Sequence, residues 1–135
     1  MPSSRKEKHI LWFSELTKND IPLVGGKNAN LGEMTQAKIP VPPGFAITAY
    51  AYEEFITKTG IAQKIYRIIA ETVTDMNNPT QYEEASKKIR TLIESTAMPV
   101  ELEKVISQAY NEHKRQTKSA EAFVAVRSSA TEEDL

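Results

Sequence analysis

The sequence predicts a helix-rich α+β (α/β) fold in which several helices surround a small buried sheet. Three observations indicate this class. Apolar residues recur at helical spacing over most of residues 49–117, short apolar runs elsewhere have the length of strands, and neither a repeat nor a shift in composition divides the chain. A chain of 135 residues with 40% hydrophobic content is long enough for one ordinary core.

Composition and charge argue against several classes of function. The 17 basic and 18 acidic residues leave a net charge of -1, which gives no support to binding of nucleic acid or of an anionic membrane. Without cysteine the chain has no disulfide, thiol nucleophile or thiolate metal site, which fits a cytoplasmic protein. The apolar runs are far shorter than the roughly 20 residues of a membrane helix, and residues 1–10 are expected to form a solvated N-terminal tail.

The first part of the chain predicts short strands with a helix between them. The run HILWF at residues 9–13 has the length of a buried strand, although a loop anchored by Trp12 is the alternative. In LVGGKNANLGEM the glycines free the backbone, and Asn30 with Glu33 has capping-box spacing, so a helix is expected to begin near there. The prolines and glycine of IPVPPGFAIT indicate an extended turn that enters a strand at 45–48.

Helices are expected over most of the sequence that follows. Thr48 can cap a helix over 49–58, which Gly60 would end. The pair Asn78-Pro79 and, later, Pro99 each have the character of a helix start. An apolar stripe at helical spacing follows each of these positions. The stripe after Gly60 consists of Ile61, Ile65, Ile68 and Ile69, and the stripe after Pro79 consists of Tyr82, Ala85, Ile89, Leu92 and Ile93. The stripe after Pro99 consists of Leu102, Val105, Ile106 and Ala109.

The last predicted element is a strand at 123–126. Its residues, FVAV, are apolar on both faces, which predicts a strand covered on both sides. The two histidines, His9 and His113, have no metal-ligand spacing to each other or to carboxylates, so we expect no metal site within the chain and assign both to surface or packing positions.

A first candidate phosphate site follows the predicted last strand. Arg127 comes directly after the strand, and ligands of open α/β sheets collect at such carboxyl ends. Arg suits phosphate oxygens because its planar fork is permanently charged, and Ser128 and Ser129 add hydroxyl groups beside it. The S-x-x-E spacing of Ser129 also fits a helix start. The alternative is that the serines cap a helix and Arg127 pairs with acidic residues after it, namely Glu132, Glu133 or Asp134.

A second candidate is the Gly25-Gly26-Lys27 sequence. Paired glycines let backbone amides approach a ligand, and a neighbouring lysine can reach a phosphate as a mobile point charge. The pattern is not a P-loop, because Asn28 stands where that motif needs Ser or Thr and the upstream glycine is missing. A plain glycine turn with a solvated lysine is the alternative.

Taken together, these segments resemble a known family. LVGGKNANLGEM, IPVPPGFAITAYAYEEF and FVAVRSSATEEDL, in this order and at these distances, resemble the N-terminal region of the phosphoenolpyruvate synthase (pyruvate, water dikinase) family, within the pyruvate phosphate dikinase superfamily. Pyruvate phosphate dikinase and rifampicin phosphotransferase share this opening module. The resemblance identifies residues 11–135 as the N-terminal portion of a pyruvate phosphate dikinase-type ATP/AMP-binding domain of the ATP-grasp class.

The resemblance implies that both candidate motifs contact ATP. In the family, the lysine after the paired glycines and the arginine of the R-S-S motif contact ATP phosphates, and these roles fall on Lys27 and Arg127. Arg127 is the expected catalytic residue because it can stabilise charge on the transferring group. Mg²⁺ is expected as a second cofactor, with ligands outside this chain. The full set of expected ATP contacts is Gly25, Gly26, Lys27, Arg127, Ser128 and Ser129.

The resemblance also implies partners outside this chain. The full-length family enzyme transfers the β-phosphoryl group of ATP to a histidine on a mobile domain and then to pyruvate, so the remaining ATP-grasp, phosphohistidine and pyruvate-binding domains are the expected partners. This chain alone is not expected to be active, and we expect its affinity for ATP to be weak or undetectable. An uncovered sheet edge favours self-association. The alternative class is a stand-alone, non-catalytic subunit that responds to nucleotide or acts as a scaffold.

Overall fold

The structure is a computed structural model that describes residues 5–118 and 123–131. These residues fall into two compact units, one formed by the chain up to Tyr52 together with the chain from Val100 onward, and the other by Glu53–Pro99. The strands are β1 (Ile10–Trp12) and β2 (Phe45–Ile47), and the helices are α1 (Ile21–Val24), α2 (Gly26–Gln36), α3 (Ala49–Lys58), α4 (Ile61–Thr72), α5 (Pro79–Ser95) and α6 (Val100–Thr117). Short 3-10 turns precede α1 at Arg5–Glu7, Phe13–Glu15 and Lys18–Asp20.

The first unit contains a two-stranded antiparallel sheet. Leu11 of β1 lies opposite Ala46 of β2, and both residues are buried. Trp12 lies opposite Phe45, and their ring centroids are 5.2 Å apart in a tilted arrangement. The strands predicted at 9–13 and 45–48 are therefore confirmed, as is a helix-rich fold with a small sheet.

The core of the first unit lies between the sheet and α2. Its buried side chains are Leu11, Leu16, Val24, Ala29 and Ala46. Helix α2 comes close to the backbone that follows the 3-10 turn, since a Cβ added at Gly32 would lie 2.6 Å from the carbonyl oxygen of Leu16. Such a contact is far inside van der Waals separation, so only glycine allows α2 to pack this closely.

The predicted caps at the start of α3 and α5 are confirmed. The Thr48 hydroxyl accepts a hydrogen bond from the Ala51 N–H at 3.2 Å. In the second unit, the Asn78 side chain accepts from the Thr80 N–H at 3.0 Å, and Pro79 occupies the first turn of α5.

Helices α4 and α5 pack against each other within the second unit. Ile61 and Ala85 are buried there, as their stripes predicted. Other stripe residues are only partly covered, since Ile69 and Tyr82 are 43% and 45% exposed. In the ranges 5–118 and 123–131, no helix has both the length and the apolar character needed to cross a membrane.

Helix α6 belongs to the first unit and confirms the helix predicted after Pro99. Its buried side chains are Leu102, Ala109 and His113. The His113 ring meets Phe45 edge-on at a centroid separation of 6.5 Å, which agrees with the packing role assigned to that histidine.

Two predicted elements differ in the structure. The strand predicted at 123–126 is wrong, because residues 123–130 pair with no strand among the described residues and Phe123 is 94% exposed. Helix α2 begins at Gly26 and so precedes the predicted start near Asn30. The expected capping box is not used, since the Glu33 carboxylate accepts from the Lys18 N–H at 2.9 Å.

An ion pair links the N-terminal region to the turn before α1. The Arg5 guanidinium donates to both carboxylate oxygens of Asp20, at 2.6 and 3.1 Å, and to the Glu15 carbonyl at 2.9 Å. The Thr17 N–H also donates to Asp20, at 2.9 Å. Hydrogen bonding by Arg5 lowers the pKa of the Asp20 carboxyl despite its burial, which acts in the opposite direction. Arg5, which lies in the segment expected to form a solvated tail, is thus paired with Asp20.

This ion pair predicts a specific loss of stability in acid. Because the folded pKa of Asp20 is lowered, its contribution is complete above the ordinary aspartate value of about 3.9 and is lost as the pH falls through the folded value. We expect Asp20→Asn to lower the unfolding free energy by about 1 kcal/mol at pH 6, a modest figure because Arg5 is partly exposed. The difference from wild type should shrink towards pH 3 in urea denaturation. A deficit that stays constant between these pH values would contradict this prediction.

Candidate functional site

The junction between α1 and α2 is formed by Gly25. Its φ of +83° lies in a region that side-chain-bearing residues rarely adopt. The Gly25 N–H donates to the Ile21 carbonyl at 2.8 Å, and the Gly25 carbonyl accepts from the Ala29 N–H at 3.1 Å. Gly25 therefore ends α1 and begins α2.

The structure brings the two predicted motifs into contact. The Gly26 N–H donates to the Ala130 carbonyl at 3.2 Å, and the Asn28 N–H donates to the Ser129 hydroxyl oxygen at 3.3 Å. The first amides of an α-helix have no acceptor within the helix, so these bonds supply partners that α2 needs. Segments about one hundred residues apart in sequence are thus joined at the start of one helix.

Gly25 also permits the close approach of the second segment. A Cβ built on Gly25 would lie 2.7 Å from the Ser129 carbonyl carbon and 2.9 Å from the Ala130 nitrogen, and it would also collide with the Ser129 hydroxyl oxygen. These are backbone atoms as well as a side-chain atom, so a rotamer change cannot relieve the overlap. The position requires glycine for its conformation and for its lack of a side chain.

Asn28 is a part of the junction that the sequence analysis did not assign. Its side-chain amide donates to the Val24 carbonyl at 2.9 Å, while its backbone amide binds Ser129. Asn28 therefore ties α1, α2 and the Ser129 segment together. The only signal in the sequence was its departure from the P-loop pattern, which has no bearing on this role.

The two candidate cations flank this contact. Lys27 is exposed and lies between Gly26 and Asn28, the two residues whose amides bind the other segment. Arg127 is exposed and precedes Ser129 by two residues, with exposed Ser128 between them. The convergence of the two charged side-chain heads, and the contacts of all six predicted residues with phosphate, stay predictions. The alternative partners of Arg127, Glu132, Glu133 and Asp134, lie outside the described residues.

Comparison with known proteins identifies the family. Residues 21–135 match the family model described as pyruvate phosphate dikinase, AMP/ATP-binding domain. The chain belongs to this family. The matched region includes both glycines, Lys27 and the R-S-S sequence, so the resemblance that these motifs carried is confirmed.

The curated relatives that this chain matches are much longer proteins. A probable phosphoenolpyruvate synthase of Staphylothermus marinus is 49% identical over 97% of this chain and 16% of the relative. A phosphoenolpyruvate synthase of Pyrococcus furiosus is 42% identical over 95% of the chain and 19% of the relative. A phosphoenolpyruvate synthase of Aeropyrum pernix is 49% identical over 93% of this chain and 15% of the relative. The chain thus spans less than a fifth of the length of each.

The close contact at Gly25 predicts a large cost for an added methyl group. We expect Gly25→Ala to lower the unfolding free energy by about 2 to 4 kcal/mol, since strain at positive φ adds to overlap with the Ser129 backbone. Gly60→Ala is the matched control, because Gly60 has a similar φ of +76° but nothing within 4 Å of an added Cβ. That variant should lose only about 1 kcal/mol. Equal losses for the two variants in urea denaturation would contradict the close approach.

Proposed function

We propose that this chain binds the phosphates of ATP through Lys27 and Arg127, as the N-terminal part of a phosphoenolpyruvate synthase. The contact between the first turn of α2 and residues Ser129 and Ala130 is the observation that carries the proposal. Membership of an AMP/ATP-binding domain family and the names of the curated relatives support the nucleotide and the enzyme.

The two cations suit complementary tasks at a triphosphate. The lysine is a mobile point charge, whereas the arginine is a planar fork that can bind two phosphate oxygens at once. Because consecutive Cα atoms are about 3.8 Å apart, the Arg127 Cα stays within about 8 Å of the Ser129 Cα. Both long side chains therefore start near the same hydrogen-bonded junction. Arg127 would stabilise negative charge on the transferring phosphoryl group, and neither residue is a nucleophile.

The reaction of the whole protein is part of the proposal. ATP, pyruvate and water would give AMP, phosphoenolpyruvate and phosphate, by way of a phosphorylated histidine in a domain outside this chain. The ATP-grasp class of the domain, pyruvate as the acceptor and a cytoplasmic location belong to the same proposal. The family description and the relatives' names support the acceptor. The ATP-grasp class rests on the resemblance of the motifs, and the cytoplasmic location rests on the cysteine-free sequence. We do not expect this chain alone to turn over ATP.

A metal would accompany the nucleotide in this proposal. Among residues 5–118 and 123–131, no group of three or more histidine, cysteine or acidic side chains could hold a metal ion. The described residues therefore do not fit a magnesium site of their own. Mg²⁺ would be held by ATP and by ligands outside this chain.

The exposed apolar residues after α6 support self-association of the isolated chain. Phe123 and Val126 are 94% and 92% exposed, and Val124 is half exposed. An extended apolar segment with unpaired backbone groups is a template for pairing with a second chain. This part of the proposal is independent of nucleotide binding.

Titration with magnesium-ATP tests the phosphate contacts. A charge-assisted hydrogen bond contributes about 1.5 to 3 kcal/mol, so we expect Lys27→Ala and Arg127→Ala each to weaken binding about 10- to 100-fold. Two such contacts give weak affinity, so the measurement is a nuclear magnetic resonance titration of the isotope-labelled chain, with a wild-type Kd weaker than micromolar.

Matched controls come from exposed cations elsewhere in the chain. Lys104 on α6 and Arg67 on α4 are exposed, and their replacement by alanine should leave the affinity unchanged. Affinity losses of the same size in Lys104→Ala and Lys27→Ala would show only bulk electrostatic attraction. Unchanged binding in both Lys27→Ala and Arg127→Ala would overturn the proposed contacts.

A further inference from the structure

We infer that Ser129 and Gly25 are positioning residues that hold the segment carrying Arg127 against the first turn of α2, which carries Lys27. This inference rests on the proposed function, because it names the groups that set the separation of the two proposed phosphate ligands. The family resemblance implies a direct contact of Ser129 with ATP. In the structure its hydroxyl oxygen accepts a hydrogen bond from the Asn28 N–H, at 3.3 Å.

The hydrogen bonds lie on both sides of Lys27. Gly26, the residue before it, donates its N–H to the Ala130 carbonyl at 3.2 Å. Asn28, the residue after it, donates its N–H to Ser129. The backbone of Lys27 therefore cannot move away from residues 129–130 unless at least one of these hydrogen bonds breaks.

The same contact restrains Arg127. Residues 123–130 form neither helix nor strand, and Arg127 is exposed. Within the described part of the chain, the hydrogen bonds nearest to Arg127 in sequence are those of Ser129 and Ala130. A two-residue separation keeps the Arg127 Cα within about 8 Å of that anchor. Without the anchor, an extended segment of this kind samples many positions.

Gly25 provides the surface on which the anchor rests. Its Cα lies directly under the Ser129 backbone, since an added Cβ would be 2.7 Å from the Ser129 carbonyl carbon. A side chain at this position would push Ser129 away from the Asn28 amide. Gly25 and Ser129 thus act on opposite sides of one contact, and neither needs to touch the nucleotide.

The absence of native cysteine allows a direct measurement of the separation. Spin labels attached to Lys27→Cys and Arg127→Cys report the distance between the two nearby positions through the dipolar broadening of their frozen-solution electron paramagnetic resonance spectra. We expect one narrow distance distribution, which Ser129→Ala broadens at least twofold. Ser129→Thr keeps the hydroxyl acceptor and should restore the narrow distribution. Ser107→Ala, the same chemical change on an exposed position of α6, should have no effect.

Magnesium-ATP titration of the unlabelled chain supplies the second readout. Loss of one neutral hydrogen bond should weaken ATP binding about 3- to 10-fold in Ser129→Ala. If Ser129 acts through the two cations, this effect should vanish when Lys27 or Arg127 is already alanine, because the separation then no longer matters.

The outcomes separate this inference from the proposed function. A distance distribution that Ser129→Ala leaves unchanged overturns the positioning role. Binding that requires Lys27 and Arg127 but is unaffected by Ser129→Ala also overturns it, and leaves the proposed function intact. A distribution that broadens as expected in a chain whose ATP affinity is unchanged by Lys27→Ala and Arg127→Ala would retain the anchor and reject the proposed function.

Discussion

The arrangement of this molecule depends on how the first turn of α2 satisfies its backbone amides. An α-helix begins with N–H groups that have no acceptor within the helix. Here the amides of Gly26 and Asn28 find their acceptors in Ala130 and Ser129, about one hundred residues later in the chain. Gly25 makes the contact feasible, because its positive φ turns the chain and its missing side chain leaves room for Ser129.

This backbone contact has a direct consequence for function. It places the residues on either side of Lys27 against Ser129 and Ala130, two and three residues after Arg127. The proposed sharing of one phosphate site by the two cations depends on this contact. The net charge of the chain is close to zero, so attraction of an anion must come from such a local concentration of charge. In the proposed ATP site, Lys27 and Arg127 would provide that charge, and the hydrogen bonds between the two segments would set the distance between them.

Features decided by neighbouring residues were predictable from the sequence, and features decided by distant residues were not. The caps at Thr48 and Asn78 involve residues two or three positions away, so their spacing was sufficient to predict them. The start of α2 was misplaced because Ser129 takes the capping role there, and no local pattern reveals a partner one hundred residues away.

The predicted strand at 123–126 is wrong because an apolar run describes what a strand requires and does not show that a neighbouring strand is available. Both motifs of the candidate site were found from residue type, whereas their contact and the role of Asn28 needed the fold.

The contact between Gly25 and Ser129 can be measured directly by nuclear Overhauser spectroscopy on the isotope-labelled chain without nucleotide. Proton pairs within about 5 Å give cross-peaks, and contact between Gly25 and Ser129 predicts cross-peaks from the Gly25 α protons to Ser129 and Ala130. A spectrum in which residues 25–28 show cross-peaks only to their own neighbours in sequence, and none to residues 129–130, would contradict this contact.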